Sequence, residues 1–121
     1  MPGSQPPIFV LKAEFFRVLG HPARVRTLEL LRDGELNVRE LQEVLDVDSS
    51  SASQHLAALR KQGLVESRKE GTSTYYRARD PRIFDLLETA RQILTSGLVE
   101  ARALLDELAA EQPIDAPRKQ R

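Results

Sequence analysis

Small polar residues crowd one short stretch of the chain, at Ser49, Ser50, Ser51, Ser53 and Gln54. Serine is a mediocre helix former, so this repetition favours a role other than helix stability. Hydroxyl and carboxamide groups at the start of a helix can hydrogen-bond phosphates and base edges, and the helix dipole there favours an anion. The alternative is a serine-rich helix cap exposed to water, and the residue types alone leave both interpretations open.

A second polar cluster surrounds Gly71 and combines cations with hydroxyl groups. Its members are Arg68, Lys69, Thr72, Ser73 and Thr74. At the tip of a hairpin, such a cluster would suit the phosphate backbone of DNA. Two nearby cations, Arg60 and Arg77, are predicted either to contact phosphates or to support the structure.

The charges of the chain are segregated, although 18 basic residues balance 18 acidic ones. Residues 51–82 hold seven basic side chains and three acidic ones, whereas residues 83–116 hold two basic and seven acidic. Local potential rather than net charge steers a polyanion, so the basic segment supports nucleic-acid binding. A mixed, solvated surface is the alternative interpretation.

Several chemistries are excluded by the residue types that the chain lacks. It contains no cysteine, which excludes disulfides, thiolate metal sites and thiol redox sensing. The sequence suggests no converging set of nucleophile, base and metal ligands, so we expect no enzyme, no cofactor and no bound metal. The longest strictly apolar run, Ile8–Leu11, is far short of the ~20 residues of a membrane span, and no export signal is visible. These features predict a cytoplasmic protein without membrane contact.

Two amphipathic helices are predicted before the serine cluster, over Ile8–Leu19 and Pro22–Arg32, from apolar residues spaced three and four apart. His21 is the expected N-cap of the second helix. Pro22 then takes the first helical position, where its missing N–H costs nothing.

A third, short helix over Val38–Leu45 is predicted from the capping-box-like spacing of Asn37 and Glu40. We expect its inward side chains to be Val38, Leu41, Val44 and Leu45.

The serine cluster opens a fourth helix, which is capped by Asp48 or Ser49, runs through Gln62 and ends at Gly63. A tight connection at Asp46–Val47 separates it from the third helix. Two helices joined in this way, with the second polar at its start, form a helix-turn-helix.

A β-hairpin is predicted after Gly63, because Val, Thr and Tyr become frequent there. Its strands are Leu64–Arg68 and Thr72–Arg79, joined by a turn over Lys69–Gly71. A final helix follows over about Pro81–Ala110. The predicted fold is therefore mainly α with a small β-hairpin, in the order α-α-α-α-β-β-α of a winged helix-turn-helix.

The predicted elements form a single domain over residues 8–110. The two ends of the chain differ from this domain in composition. Residues 1–7 contain three prolines and predict a flexible leader. Residues 111–121 contain two prolines and a basic cluster, and predict a disordered basic tail.

The sequence resembles the ArsR/SmtB family of transcriptional repressors over about Phe9–Ala110. The segments that carry the resemblance are Leu19–Arg24, Glu35–Leu41, Ser53–Arg60, Gly63–Val65 and Gly71–Arg77. The resemblance implies a winged helix-turn-helix homodimer that binds a palindromic operator on double-stranded DNA and leaves it when an inducer arrives. A winged-helix protein-interaction module that has lost DNA binding is the alternative function.

The family's metal-sensing residues are missing. Many members sense metals through a Cys-x-Cys pair, and the matching positions here are Asn37 and Arg39. Other members bind zinc on the last helix through histidine and carboxylates, but this helix has no histidine. The resemblance thus implies a regulator that is not a thiolate metal sensor. It leaves the effector open between a small organic molecule, a protein and none.

Dimerisation is predicted through the first and last helices, since so small a domain cannot bury a long apolar stripe against itself. The alternative is a long helix that covers the core of its own subunit. The predicted interface residues are Ile8, Leu11, Phe15, Leu87, Ala90, Leu94, Gly97, Leu98, Ala101, Leu104, Leu105 and Leu108.

Overall fold

The computed structural model describes residues 5–115, and the surroundings of the side chains of residues 5–111. Its helices are α1 (Ile8–Leu19), α2 (Pro22–Leu30), α3 (Val38–Leu45), α4 (Ser49–Lys61) and α5 (Arg82–Asp115), and its strands are β1 (Leu36–Asn37), β2 (Val65–Glu70) and β3 (Ser73–Ala78). This order confirms the predicted winged helix-turn-helix, with one strand added. The predicted leader and tail include residues 1–4 and 116–121, which lie outside the described residues.

Local hydrogen bonds begin the helices where the sequence predicts. The imidazole Nδ1 of His21 accepts from the N–H of Ala23 at 3.2 Å, which caps α2. The predicted capping box of α3 is complete, because Asn37 Oδ1 accepts from the Glu40 N–H and Glu40 Oε1 accepts from the Asn37 N–H, both at 2.8 Å. These reciprocal bonds satisfy two of the free N–H groups of a helix start.

Gly63 ends α4 in a Schellman arrangement. Its N–H donates to the carbonyl of Arg60, and the Leu64 N–H donates to the carbonyl of Leu59, both at 2.9 Å. Gly63 has a φ of +81°, a region that costs other residues strain.

The β-structure is a three-stranded antiparallel sheet in the order β1-β3-β2, rather than the two-stranded hairpin predicted. The missed strand β1 has two residues, which pair with Tyr76 and Tyr75. The predicted turn over Lys69–Gly71 was also wrong, because Lys69 and Glu70 pair with Thr74 and Ser73 and leave Gly71 and Thr72 as the loop. Gly71, at φ +63°, supplies the positive φ that a two-residue hairpin loop requires.

The core of the helix-turn-helix is built mainly from leucine side chains of α2, α3 and α4. Leu28, Leu41 and Leu59 are completely buried. One predicted inward residue was wrong: Val44 on α3 is 56% exposed. The helix is only two turns long, and its inward face is already occupied by Leu41 with Leu45 half-buried behind it.

The chain divides into two compact units, with the boundary after Asp85 inside α5. The first unit contains the helix-turn-helix and the sheet. In the second, α5 continues to Asp115, five residues past the predicted end at Ala110. No helix within residues 5–115 combines the length and the apolar character needed to cross a membrane.

Candidate nucleic-acid interface

The start of α4 is fixed by Asp48, whose Oδ1 accepts from the N–H of Ser51 at 2.6 Å. Bonds from the Ser51 backbone, the Ser51 hydroxyl and the Ser50 backbone, in that order, hold the pKa of the Asp48 carboxyl below its usual value. Ser51 is half-buried, whereas Ser53 and Gln54 are exposed. Ser51 therefore takes part in the cap, and its contact with DNA stays a prediction.

The remaining polar residues of the cluster share the exposed side of α4. Ser49, Ser50, Ser53 and Gln54 are all exposed, whereas Ala52, Leu56 and Leu59 are buried on the opposite side. Sequence reasoning missed two residues that continue the exposed side, Ala57 and Lys61. Their spacing of four and eight residues from Ser53 was the signal that could have found them.

The wing formed by β2 and β3 carries fewer available cations than predicted. The Arg68 guanidinium donates to both carboxylate oxygens of Glu35, at 2.7–3.0 Å, and to Glu70 at 2.6 Å. It also lies over the Tyr75 ring, at 4.8 Å from the centroid. The hydrogen bond with Arg68 is the main reason that the pKa of Glu35 lies below its usual value. Arg68 thus ties the wing to the segment before β1, a pairing invisible in the sequence because its partners lie 33 residues apart.

Arg77 is likewise paired, with Glu66 on the neighbouring strand at 2.8 Å. The sequence left two roles open for Arg77, contact with a phosphate or support of the structure, and this geometry favours the second. Lys69 is exposed and makes no ion pair within the described part of the chain. At the loop, Thr72 is exposed and Ser73 is half-buried.

His55 links α4 to α2 from the inner side of α4. Its Nδ1 accepts from Arg24 Nε at 3.3 Å, and its ring centroid lies 4.3 Å from that of His21. Arg24 also donates to the carbonyl of Val18 at 3.3 Å. Both histidines therefore connect α2 to α4. Within residues 5–111 no three potential metal-ligand side chains come together.

The geometry around His55 predicts a loss of stability in mild acid. Burial, and then the charges of His21 and Arg24, lower the pKa of His55 below its ordinary 6.5. The folded chain therefore binds fewer protons than the unfolded chain once the pH falls through 6.5, and the free energy of unfolding must decrease down to the folded pKa. Urea unfolding at about pH 7.5 and about pH 5.5 should show this decrease, and it should be smaller in His55→Gln. Equal decreases in both proteins would mean that other groups cause the acid sensitivity.

The apolar residues predicted for the dimer interface are mostly exposed in the single chain. In the first unit, Ile8 is 62% exposed and Leu11 41%, while Phe15 is half-buried. In the second unit, Leu87 is half-buried and the side chains from Thr89 to Glu111 are exposed. That set includes Ala90, Leu94, Gly97, Leu98, Ala101, Leu104, Leu105 and Leu108.

Residues 21–67, which include the whole helix-turn-helix, match the family described as bacterial regulatory protein, arsR family. Over 105 residues the chain is 42% identical to an HTH-type transcriptional regulator of Mycobacterium tuberculosis, which spans 86% of this chain and 92% of that protein. It is 36% identical over 76 residues to the biofilm growth-associated repressor of Agrobacterium fabrum, covering 63% of this chain and 65% of the repressor. It is 34% identical over 77 residues to the transcriptional activator HlyU of Vibrio cholerae, covering 64% of this chain and 71% of the activator.

Solved structures show the same fold. The crystal structure of the M. tuberculosis protein superposes with a TM-score of 0.69 at 41% identity, over 86% of this chain and 99% of that one. The chain also superposes on an NMR structure from Mycobacterium bovis, a homodimeric winged helix-turn-helix DNA-binding domain. The TM-score is 0.67 at 28% identity, over 78% of this chain and 91% of that domain.

Proposed function

The chain belongs to the ArsR family of bacterial transcriptional regulators, and we propose that it represses transcription by binding a palindromic operator as a homodimer. The observation that carries the proposal is the exposed polar side of α4, where Ser49, Ser50, Ser53 and Gln54 face solvent together beside a hairpin wing. Repression is what the family resemblance implies. One relative is named a repressor and another an activator, so the direction of regulation needs its own reporter assay.

In this proposal α4 enters the major groove with its N-terminal half. The serine hydroxyls bond phosphates or base edges, helped by the positive end of the helix dipole. Gln54 is the residue suited to specificity, because a carboxamide can donate to and accept from the edge of one adenine.

The wing contacts the DNA backbone through Lys69, assisted by the hydroxyls of Thr72 and Ser73. Lys69 is preferred to Arg68 and Arg77 because both arginines already form ion pairs with carboxylates, which a phosphate would have to displace. An amine without an acidic partner can release a counterion from the phosphate backbone when it binds.

Removal of this amine should reduce the salt dependence of binding. For Lys69→Ala, the slope of log affinity against log salt should flatten by about 1.8, which is about 0.9 for each of two phosphates in a dimer complex. Lys12→Ala removes the same charge from α1 and should leave the slope unchanged. Fluorescence anisotropy across a salt series measures the slopes of both variants. An unchanged slope in Lys69→Ala would remove the wing from the phosphate contacts.

A homodimer is supported by the exposed leucines of α5 and the exposed end of α1, which a lone subunit leaves in water. The M. bovis relative is a homodimer. In a twofold complex, the two recognition helices would read half-sites about one helical turn apart, ~34 Å.

The sequence contains no cysteine, which argues against regulation by a thiolate-bound metal. We propose instead that the effector is a small organic molecule or a protein partner. A protein that acts on the bacterial chromosome works in the cytoplasm, and we place it there.

A protein-interaction module that has lost DNA binding is the second candidate, and the neutralised arginines of the wing favour it. Selection from a pool of random duplexes with the purified chain separates the two. Enrichment of a palindrome supports the regulator, and its failure to enrich any sequence supports the interaction module.

A further inference from the structure

We propose that a pocket between the C-terminal half of α4 and strand β3 binds one backbone phosphate of the DNA. The pocket has a volume of about 380 Å³ and is lined by Ser53, Ala57, Arg60, Lys61 and Tyr76. The assignment rests on the DNA-binding function proposed above. It adds Lys61 and Tyr76 to the residues that contact DNA, and it gives Arg60 a phosphate-binding role.

The charge of this pocket is uncompensated. Arg60 and Lys61 are both exposed, and neither makes an ion pair within the described residues. The nearby arginines of the sheet, Arg68 and Arg77, are each paired with glutamate. The two cations of α4 are thus available to an external anion.

The other lining groups are donors that an anion can use. Ser53 and Tyr76 each supply a hydroxyl, and Ala57 leaves room between the cations. Among the residues that the structure describes, no carboxylate lines the pocket. The neighbouring pocket differs in this respect, because Glu35 and Glu66 line it together with arginines and would repel an anion.

The position on α4 indicates DNA rather than a free anion as the source of the phosphate. Ser53 belongs both to the pocket and to the exposed side that includes Gln54. Lys61 follows Gln54 by seven residues, which is roughly 10 Å along the helix axis. The major groove is about 12 Å wide, so a duplex read by Gln54 would bring the phosphates at the groove edge to the pocket.

The experiment replaces one phosphate at a time by a neutral methylphosphonate in a duplex selected by the wild-type protein. Wild type should lose affinity roughly tenfold at one position in each half-site, as expected for a charge-assisted contact. Lys61→Ala should bind the unmodified duplex more weakly and be nearly insensitive to the substitution at that position. Ala57→Glu puts a carboxylate in the pocket, so it should show the same loss of affinity and the same insensitivity to the methylphosphonate. Lys12→Ala should have the affinity and the sensitivity of wild type.

Each outcome bears on one claim or both. If wild type binds a selected duplex but Lys61→Ala and Ala57→Glu keep its full affinity and sensitivity, the pocket is overturned and the regulator function stands. If wild type binds no duplex, both fall. Tight binding of inorganic phosphate in the pocket without DNA, unchanged by added duplex, would mark a free-anion site and also overturn the assignment.

Discussion

Replacement of Leu98 and Leu105 by glutamate is expected to separate the dimer and to lower operator affinity by roughly 10²–10⁴-fold, the contribution of linking two binding modules. Both leucines are more than half exposed, at 71% and 61%, and they lie seven residues apart on one side of α5. A carboxylate buried in a twofold interface would face desolvation and its own symmetry mate. The second unit of the chain would thus lose its partner without loss of the helix-turn-helix.

Ser96→Glu with Ala103→Glu is the matched control. These residues are also seven apart and exposed, but about 100° per residue places them on the opposite side of α5. The control should remain dimeric and bind DNA almost as wild type does. Sedimentation measures the mass of the protein in solution, and fluorescence anisotropy measures its affinity for the operator duplex. A dimer that survives the leucine changes would contradict the interface.

Gln54→Ala is expected to reduce the discrimination between operator and random DNA by roughly 1–3 kcal/mol, the range for a good base contact. Gln54 is exposed at the second turn of α4, and its side chain makes no hydrogen bond within the described residues, so its removal should not destabilise the fold. The loss should appear mainly with the selected duplex, because random DNA is held by phosphates.

Gln92→Ala makes the same chemical change at an exposed position of α5. It should change neither the affinity for the selected duplex nor the affinity for random DNA. Binding curves for both duplexes, with both variants, complete the comparison. Should Gln54→Ala weaken the two duplexes equally, the residue contacts the backbone and does not read bases.

Four helix boundaries, the starts of α2, α3 and α4 and the end of α4, were predictable because short-range chemistry sets them. His21, the Asn37–Glu40 pair, Asp48 and Gly63 each act within a few residues of their own position, and each is found in its predicted role. Strand β1 was not predictable in this way. Two residues are too few to show an alternating pattern, and they become a strand only because β3 lies beside them.

The candidate interface was only partly predictable, because partners distant in sequence decide which charges are available. Arg68 looked like a free cation at a hairpin tip, but Glu35 neutralises it across the sheet. Lys61 was not among the predicted DNA-binding residues, but Tyr76 of β3 lines a pocket together with it. Neither pairing leaves a spacing pattern that a linear sequence reveals.

Sequence-specific DNA binding by the chain can be tested with the ratio of two dissociation constants. At physiological salt, the wild-type protein should bind its selected duplex at least about 10³ times more tightly than a shuffled duplex of the same composition. A ratio near one, or no binding to either duplex, would contradict the account and favour the protein-interaction module.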